Sequence, residues 1–229
     1  MRSREFVKEA PLPPDWDPEQ LNMRQTFGNR LRYALDRARR IGGGSSRVVM
    51  TIDYQGRPTA LKVAKNAKGL AQNEAEVEIL ADGYAGRLPI VIPLIDFDRE
   101  NPRPTWIQTE QARRVQARTL MRMLHTPNLR LLLNQARNIL GGRREYMDLD
   151  SRQVEMEYFE KTNEIWQPTE QDWEIFLQYA NELAELGSAT SIVMTDLLSP
   201  SNWGVYNGRP VVLDLGFTED TAQLYMRRW

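Results

Sequence analysis

Cysteine is absent from all 229 residues, which excludes disulfides and thiolate-ligated metal or redox centres. Histidine occurs once, at His125, so His-rich metal sites and the usual histidine-dependent nucleophilic triads are ruled out as well. No apolar run reaches the roughly 20 residues that a membrane-spanning helix requires. The opening stretch M-R-S-R-E-F-V-K-E-A lacks the apolar centre of a secretory signal. Thirty basic and 31 acidic side chains leave a formal charge of −1, with no global pull toward nucleic acid or an anionic membrane. These absences lead to the expectation of a soluble, cytoplasmic protein without a membrane partner. What the chain does have is 41% hydrophobic content and six tryptophans, enough for a packed core.

The hydrophobic pattern divides the chain. Residues 1–22, with P-L-P-P-D-W-D-P, read as an extended arm and not a helix, with Trp16 available to dock it. Over 23–40, Phe27, Leu31, Ala34, Leu35 and Ala38 recur at helical spacing up to Gly42-Gly43-Gly44. Strands are predicted over 47–53 and 59–64 around a Gln55-Gly56-Arg57-Pro58 turn, a helix over 69–80, then strands over 90–97 and 105–110. This is a mixed α+β unit spanning 23–112. The part from 113 to 229 is mainly helical, with Leu129, Leu132, Leu133, Ala136 and Leu140 at helical spacing before Gly141-Gly142. Thr169 and Asp172 have capping-box spacing ahead of the stripe Trp173, Phe176, Leu177, Ala180, Leu183. Residues 113–144 are rich in Arg, but they lack an aromatic platform, which disfavours nucleic acid as a partner.

Three segments carry candidate chemistry. I-G-G-G-S-S-R-V-V, from Ile41, joins a helix to a hairpin; its glycines let backbone N–H groups approach phosphates, although three glycines equally make a flexible turn. It is no Walker A loop, because no G-K-[ST] follows. In T-A-L-K-V-A, Lys62 either snorkels at a strand edge or points into a cleft. Glu76 on the following helix can meet it, while the same helix can expose Glu74 or Glu78; each Glu taken alone equally fits a solvated helix face. Near the end, T-D-L-L-S-P-S-N-W-G-V-Y-N-G-R-P-V-V-L-D-L-G-F sets Asp196, Asn202 and Asp214 on turns flanking a β-hairpin, the side-chain types a phosphoryl-transfer site needs.

Taken in order, these segments resemble the protein-kinase-like superfamily. G-G-G-S-S-R-V-V is similar to its Gly-rich loop, with Gly42 and Gly44 at the first two glycine positions and Arg47 where the third would stand. A-L-K-V resembles the strand of the phosphate-contacting lysine, E-V-E-I-L the helix of its ion-pair partner, and Asp214-Leu215-Gly216 the metal motif. Eighteen positions separate Asp196 from Asp214, as in the family, whereas Asp196 to Asn202 is one step longer. Met194-Thr195 replaces His-Arg, and the 13 residues after Gly216 leave no room for a full activation segment. The compact form and L-K-V-A-K-N-A-K-G-L-A-Q-N-E-A-E look like small kinase-like proteins of tailed phages, which would place the chain in a host cytoplasm.

The resemblance implies a two-lobed fold: an N-lobe with a small mixed sheet and a short helical C-lobe. It implies ATP and Mg²⁺ as cofactors, with Lys62, Glu76 and Asp196 catalytic and Asn202 and Asp214 on the metal. Gly42, Gly43, Gly44, Ser45 and Lys62 would hold phosphates; Thr109, Glu110 and Ala112 would line the base pocket. The implied activity is transfer of the γ-phosphate to a hydroxyl, a protein Ser/Thr being favoured over a small molecule. The alternative is a kinase-fold nucleotide-binding or interaction protein with little or no turnover.

Overall fold

The structure, a computed structural model, describes residues 17–142 and 150–226. Five antiparallel strands form the main sheet: β1 (Arg39–Gly43), β2 (Arg47–Tyr54), β3 (Arg57–Ala64), β4 (Leu94–Phe97) and β5 (Trp106–Glu110), in the order β1-β2-β3-β5-β4. The β2–β3 hairpin closes through Gln55 and Gly56, both at positive φ, which matches the strand twist. Its register pairs Val49 with Lys62 and Arg47 with Ala64. Because side chains alternate with period two, Val48, Met50 and Ile52 share one face with Leu61 and Val63, while Arg47, Val49 and Lys62 share the other.

The first face is covered by α1 (Pro18–Asn22) and α2 (Phe27–Arg37), whose Leu21, Tyr33 and Ala34 pack on those strands and on Trp106. On the second face lies α3 (Ala67–Ala81), started by Asn66, whose side chain accepts from the Gly69 amide. A continuous core then joins the end of α3 to α4 (Ala117–Met123), α5 (Leu129–Leu140), α6 (Ser151–Thr162) and α7 (Glu170–Ala189). A second hairpin, β6 (Trp203–Tyr206) and β7 (Arg209–Val212), leads into α8 (Glu219–Met226). The α+β class expected from the sequence is the class observed.

Three segments depart from expectation. The arm is helical at Pro18–Asn22: Asp17 caps the Glu19 amide at 2.9 Å and Pro18 sits in the first turn, where its missing N–H costs nothing. Leu21 is fully buried, and Asn22 accepts from the Trp106 indole at 2.7 Å, so this end of the arm is part of the core. Trp16 itself lies outside the described residues. The helix predicted to reach the glycines ends at Arg37, because 39–43 pairs with β2 and ladder hydrogen bonds override the helical period. The strand predicted over 90–97 is regular only from Leu94, and Pro93 supplies a carbonyl to Glu110 in place of an amide.

The capping box at Thr169 and Asp172 is present, and His125 Nδ1 lies 2.5 Å from Asp172 Oδ1. Hydrogen bonding by the Thr169 hydroxyl, then by His125 and the Thr169 amide, holds the Asp172 carboxyl down at about 2 against a smaller opposing effect of burial. A carboxyl whose folded value lies below its unfolded one stabilises the fold above the unfolded value. That contribution is lost as pH falls toward the folded one. The Tm gap between wild type and Asp172→Asn is therefore expected to narrow as pH drops from about 5 to about 2, measured by circular dichroism melts.

Gly69 supports a second prediction. A Cβ there would collide with the Ser46 carbonyl oxygen and lie 3.1 Å from Ala64, so α3 rests backbone-to-backbone on the start of β2. Helix propensity alone favours Gly69→Ala by roughly 1 kcal/mol. The collision is expected to outweigh it and lower the urea midpoint; a raised midpoint would show that α3 stands further from β2.

Candidate functional site

A cleft of about 910 Å³ opens between the sheet face carrying Lys62 and the segments that flank the β6–β7 hairpin, Ser201–Asn202 and Leu213–Asp214. Backbone pairing sets its geometry. Arg113 and Val205 exchange hydrogen bonds at 2.9 Å each, and Val212 N donates to Ile90 O at 2.7 Å. The hairpin is thereby fastened to the segments beside β5 and before β4, and the chain after β7 passes under β3. There Lys62 Nζ donates to Leu213 O at 2.5 Å.

The buried charges meet at this crossing. Glu76, fully buried, accepts from Lys62 on one oxygen and from Arg47 Nη1 at 2.5 Å on the other. Glu74 pairs instead with Arg103, and Glu78 is exposed, so α3 presents Glu76 alone to the lysine. Arg47, 4% exposed, also reaches Asn73 Oδ1 at 3.3 Å, and its Nη2 binds Asp214 Oδ1 at 2.6 Å. Two cations and two carboxylates therefore compensate one another, which lets Lys62, Arg47 and Glu76 stay out of water, while the Asp214 side chain stays 39% exposed to the cleft. Burial pushes the Asp214 carboxyl up, but Arg47 and Lys62 together with the Gly216 amide outweigh it and hold the group down at about 2. For Arg47, burial opposes the charge, and Asp214 and Glu76 more than restore it, leaving the guanidinium firmly protonated.

The residues singled out from the sequence converge in part. Gly42, Gly43, Gly44, Ser45, Lys62, Thr109, Glu110, Ala112, Asn202 and Asp214 all line the cleft. Gly43 has a φ of +135°, and a Cβ on it would lie 2.8 Å from Arg47 O, so the turn into β2 requires glycine. The amide of Glu110 donates to Pro93 and is not offered to a ligand, which leaves Gln111 and Ala112 as the wall's backbone groups. Glu76 lies behind Lys62, outside the lining. Asp196 also stands outside it, at the edge.

The extra residue between Asp196 and Asn202 is absorbed by two short 3-10 turns, Met194–Leu198 and Pro200–Asn202. Asn202 Nδ2 still donates to Asp196 Oδ2 at 2.7 Å and to its carbonyl at 2.9 Å. Burial, then the nearby Asp214 charge, raises the Asp196 carboxyl above its ordinary value, against the smaller pull of Arg47.

Arg47 was legible only as a departure from the glycine pattern. Counting the hairpin back from Gln55-Gly56 puts it on the Lys62 face, and that count is the signal that identifies it.

Whether these groups fit a divalent cation can be tested on the oxygens themselves. Mg²⁺ needs near-octahedral oxygen ligands at about 2.0–2.1 Å. Asp214 Oδ1 is taken by Arg47 at 2.6 Å and by the Gly216 amide at 3.2 Å. Asp196 Oδ2 is engaged by Asn202. Among the described residues no group of three or more acidic or histidine side chains is placed to hold a metal. In this arrangement Asp214 Oδ1 does not fit Mg²⁺, because the cation facing it is a guanidinium.

No protein-family model and no curated protein matches the chain. Among solved structures, the aminoglycoside phosphotransferase APH(4)-Ia aligns over 88% of this chain and 81% of its own at 13% identity, with a TM-score of 0.35. Ternary complexes of thermostable mutants of that enzyme, one with ADP and hygromycin B and one with AMP-PNP and hygromycin B, align at 15% and 18% identity. Their TM-scores are 0.26, and the match covers 45% of this chain but only 32%, about a third, of theirs. Likenesses of this degree assign no chemistry, and the cleft has to be read from its own groups.

Removing Glu76 leaves buried Lys62 without a carboxylate partner and Arg47 with Asp214 alone. Glu76→Ala is expected to destabilise the fold by about 3–5 kcal/mol, as breaking a buried ion pair does. Chemical denaturation measures it, and a loss under about 1 kcal/mol would mean that Lys62 and Arg47 turn out to solvent.

Proposed function

We propose that the chain is a compact, two-lobed protein-kinase-like phosphotransferase that binds ATP in this cleft and passes the γ-phosphate to a hydroxyl. The observation that carries the reading is the buried Lys62–Glu76 pair, joined through Leu213 O to the segment bearing Asp214. A lysine so held presents its charge to a phosphate chain without losing side-chain freedom on binding. The turn 43–46 adds backbone N–H groups other than that of Gly44, which donates to Arg47 O at 3.0 Å, and the wall from Thr109 to Ala112 suits a purine ring. Asp196, oriented by Asn202 and raised by burial, is the base that would take the acceptor proton. The acceptor proposed is a protein Ser/Thr hydroxyl, with a small-molecule hydroxyl as its competitor in the assay.

A second reading, nucleotide binding with little or no turnover, is favoured by one specific contact. The Arg47–Asp214 pair holds the carboxylate that phosphotransfer would use.

The two readings separate in one set of measurements. Lys62→Met is expected to weaken ATP binding at least about tenfold by calorimetry. Asp196→Asn is expected to keep binding and lose about 10²–10⁴-fold in transfer of labelled γ-phosphate to protein and small polyhydroxy acceptors. Tight ATP binding by wild type with no transfer selects the second reading; absence of ATP binding removes both.

A further inference from the structure

Arg47 sits in the cleft lining directly against the Asp214 carboxylate. Its guanidinium contacts Asp214 at 2.6 Å and Glu76 at 2.5 Å and is itself buried, so it is a built-in counter-ion, not a surface charge that happens to lie near. Three elements hold it: β2 through its backbone, α3 through Asn73 and Glu76, and the segment after β7 through Asp214. Elsewhere in the lining, Glu110 is neutralised by Arg57 at 2.7 Å. Exposed Arg113 and Arg114 stand at the mouth, the latter against Gly42. A polyanion entering the cleft therefore meets cationic groups and carboxylates already paired.

Resting on the nucleotide reading above, we infer that Arg47 takes the charge-neutralising place of a divalent cation, so that the cleft binds nucleoside polyphosphates without metal. The reasoning is electrostatic. An unpaired Asp214 carboxylate would repel a polyphosphate entering the cleft unless a metal bridged them. With Arg47 fixed on Asp214 the repulsion is cancelled before the ligand arrives. A metal ion brought to the same oxygen would in turn have to displace a guanidinium whose other arm is bound to Glu76. Arg47 is thus a positioning residue, acting on the ligand through Asp214.

The test is calorimetric titration of the full chain with ATP at matched ionic strength, once in excess EDTA and once in excess Mg²⁺. Wild type is expected to bind with Kd values within about threefold of each other. Arg47→Gln is expected to weaken EDTA binding at least about tenfold and to regain affinity with Mg²⁺, since the freed carboxylate then needs a metal. The wild-type comparison decides the matter even if Arg47→Gln does not fold. ATP binding that requires Mg²⁺ overturns the metal-independent site while leaving the nucleotide reading intact. No ATP binding in either buffer overturns both.

Discussion

Glu76 is the group on which the rest of the site depends. It is a carboxylate without solvent, and such a group persists only if cations come to it. Two do, from adjacent strands of one hairpin: Lys62 on β3 and Arg47 on β2. Each then reaches beyond the sheet, Lys62 to the Leu213 carbonyl and Arg47 to Asp214. One buried negative charge therefore fixes the distance between the sheet, α3 and the segment after β7. The cleft is the space left beside that arrangement, and its electrostatics follow from it.

The same constraint explains why the backbone is so close-packed around the site. α3 can bring Glu76 to the hairpin only because Gly69 lets the helix rest on the Ser46 carbonyl. Ser46 itself donates to Gln72 Oε1 at 2.5 Å, tying the glycine turn to the same helix. On the other side, the paired backbones of Arg113 and Val205 hold the β6–β7 hairpin so that Asn202 and Asp214 face the Lys62 strand. Positioning here comes from main-chain contacts, with side-chain charges added on top.

Much of this was legible in the sequence, for physical reasons that differ by element. The hairpin at Gln55-Gly56 and the helix capped by Thr169 carry strong local signals, since turn and cap chemistry act over two or three residues. Lys62 was legible as a cation amid apolar strand neighbours, and Glu76 as its partner only through the family resemblance, since Glu74, Glu76 and Glu78 alternate along one helix. The short helix at Pro18 had its signal too, Asp17 followed by proline, but the surrounding prolines pointed to extended chain. β1 was not legible, because Ala38 to Gly43 carries no strand pattern and is extended only through pairing with β2. α6 buries just Val154 and Tyr158, too few apolar positions to set a period. Arg47 joins partners 29 and 167 positions away, a link that no local pattern encodes.

The central claim is that Lys62 meets phosphate while Arg47 stays on Asp214. A crystal structure of the chain grown with a non-hydrolysable ATP analogue in EDTA tests it most directly. The account predicts the phosphates within hydrogen-bonding distance of Lys62 Nζ, with the Arg47–Asp214 and Lys62–Glu76 pairs intact and no metal density. An analogue bound elsewhere, or Arg47 swung away from an Asp214 left facing the phosphates, would contradict it.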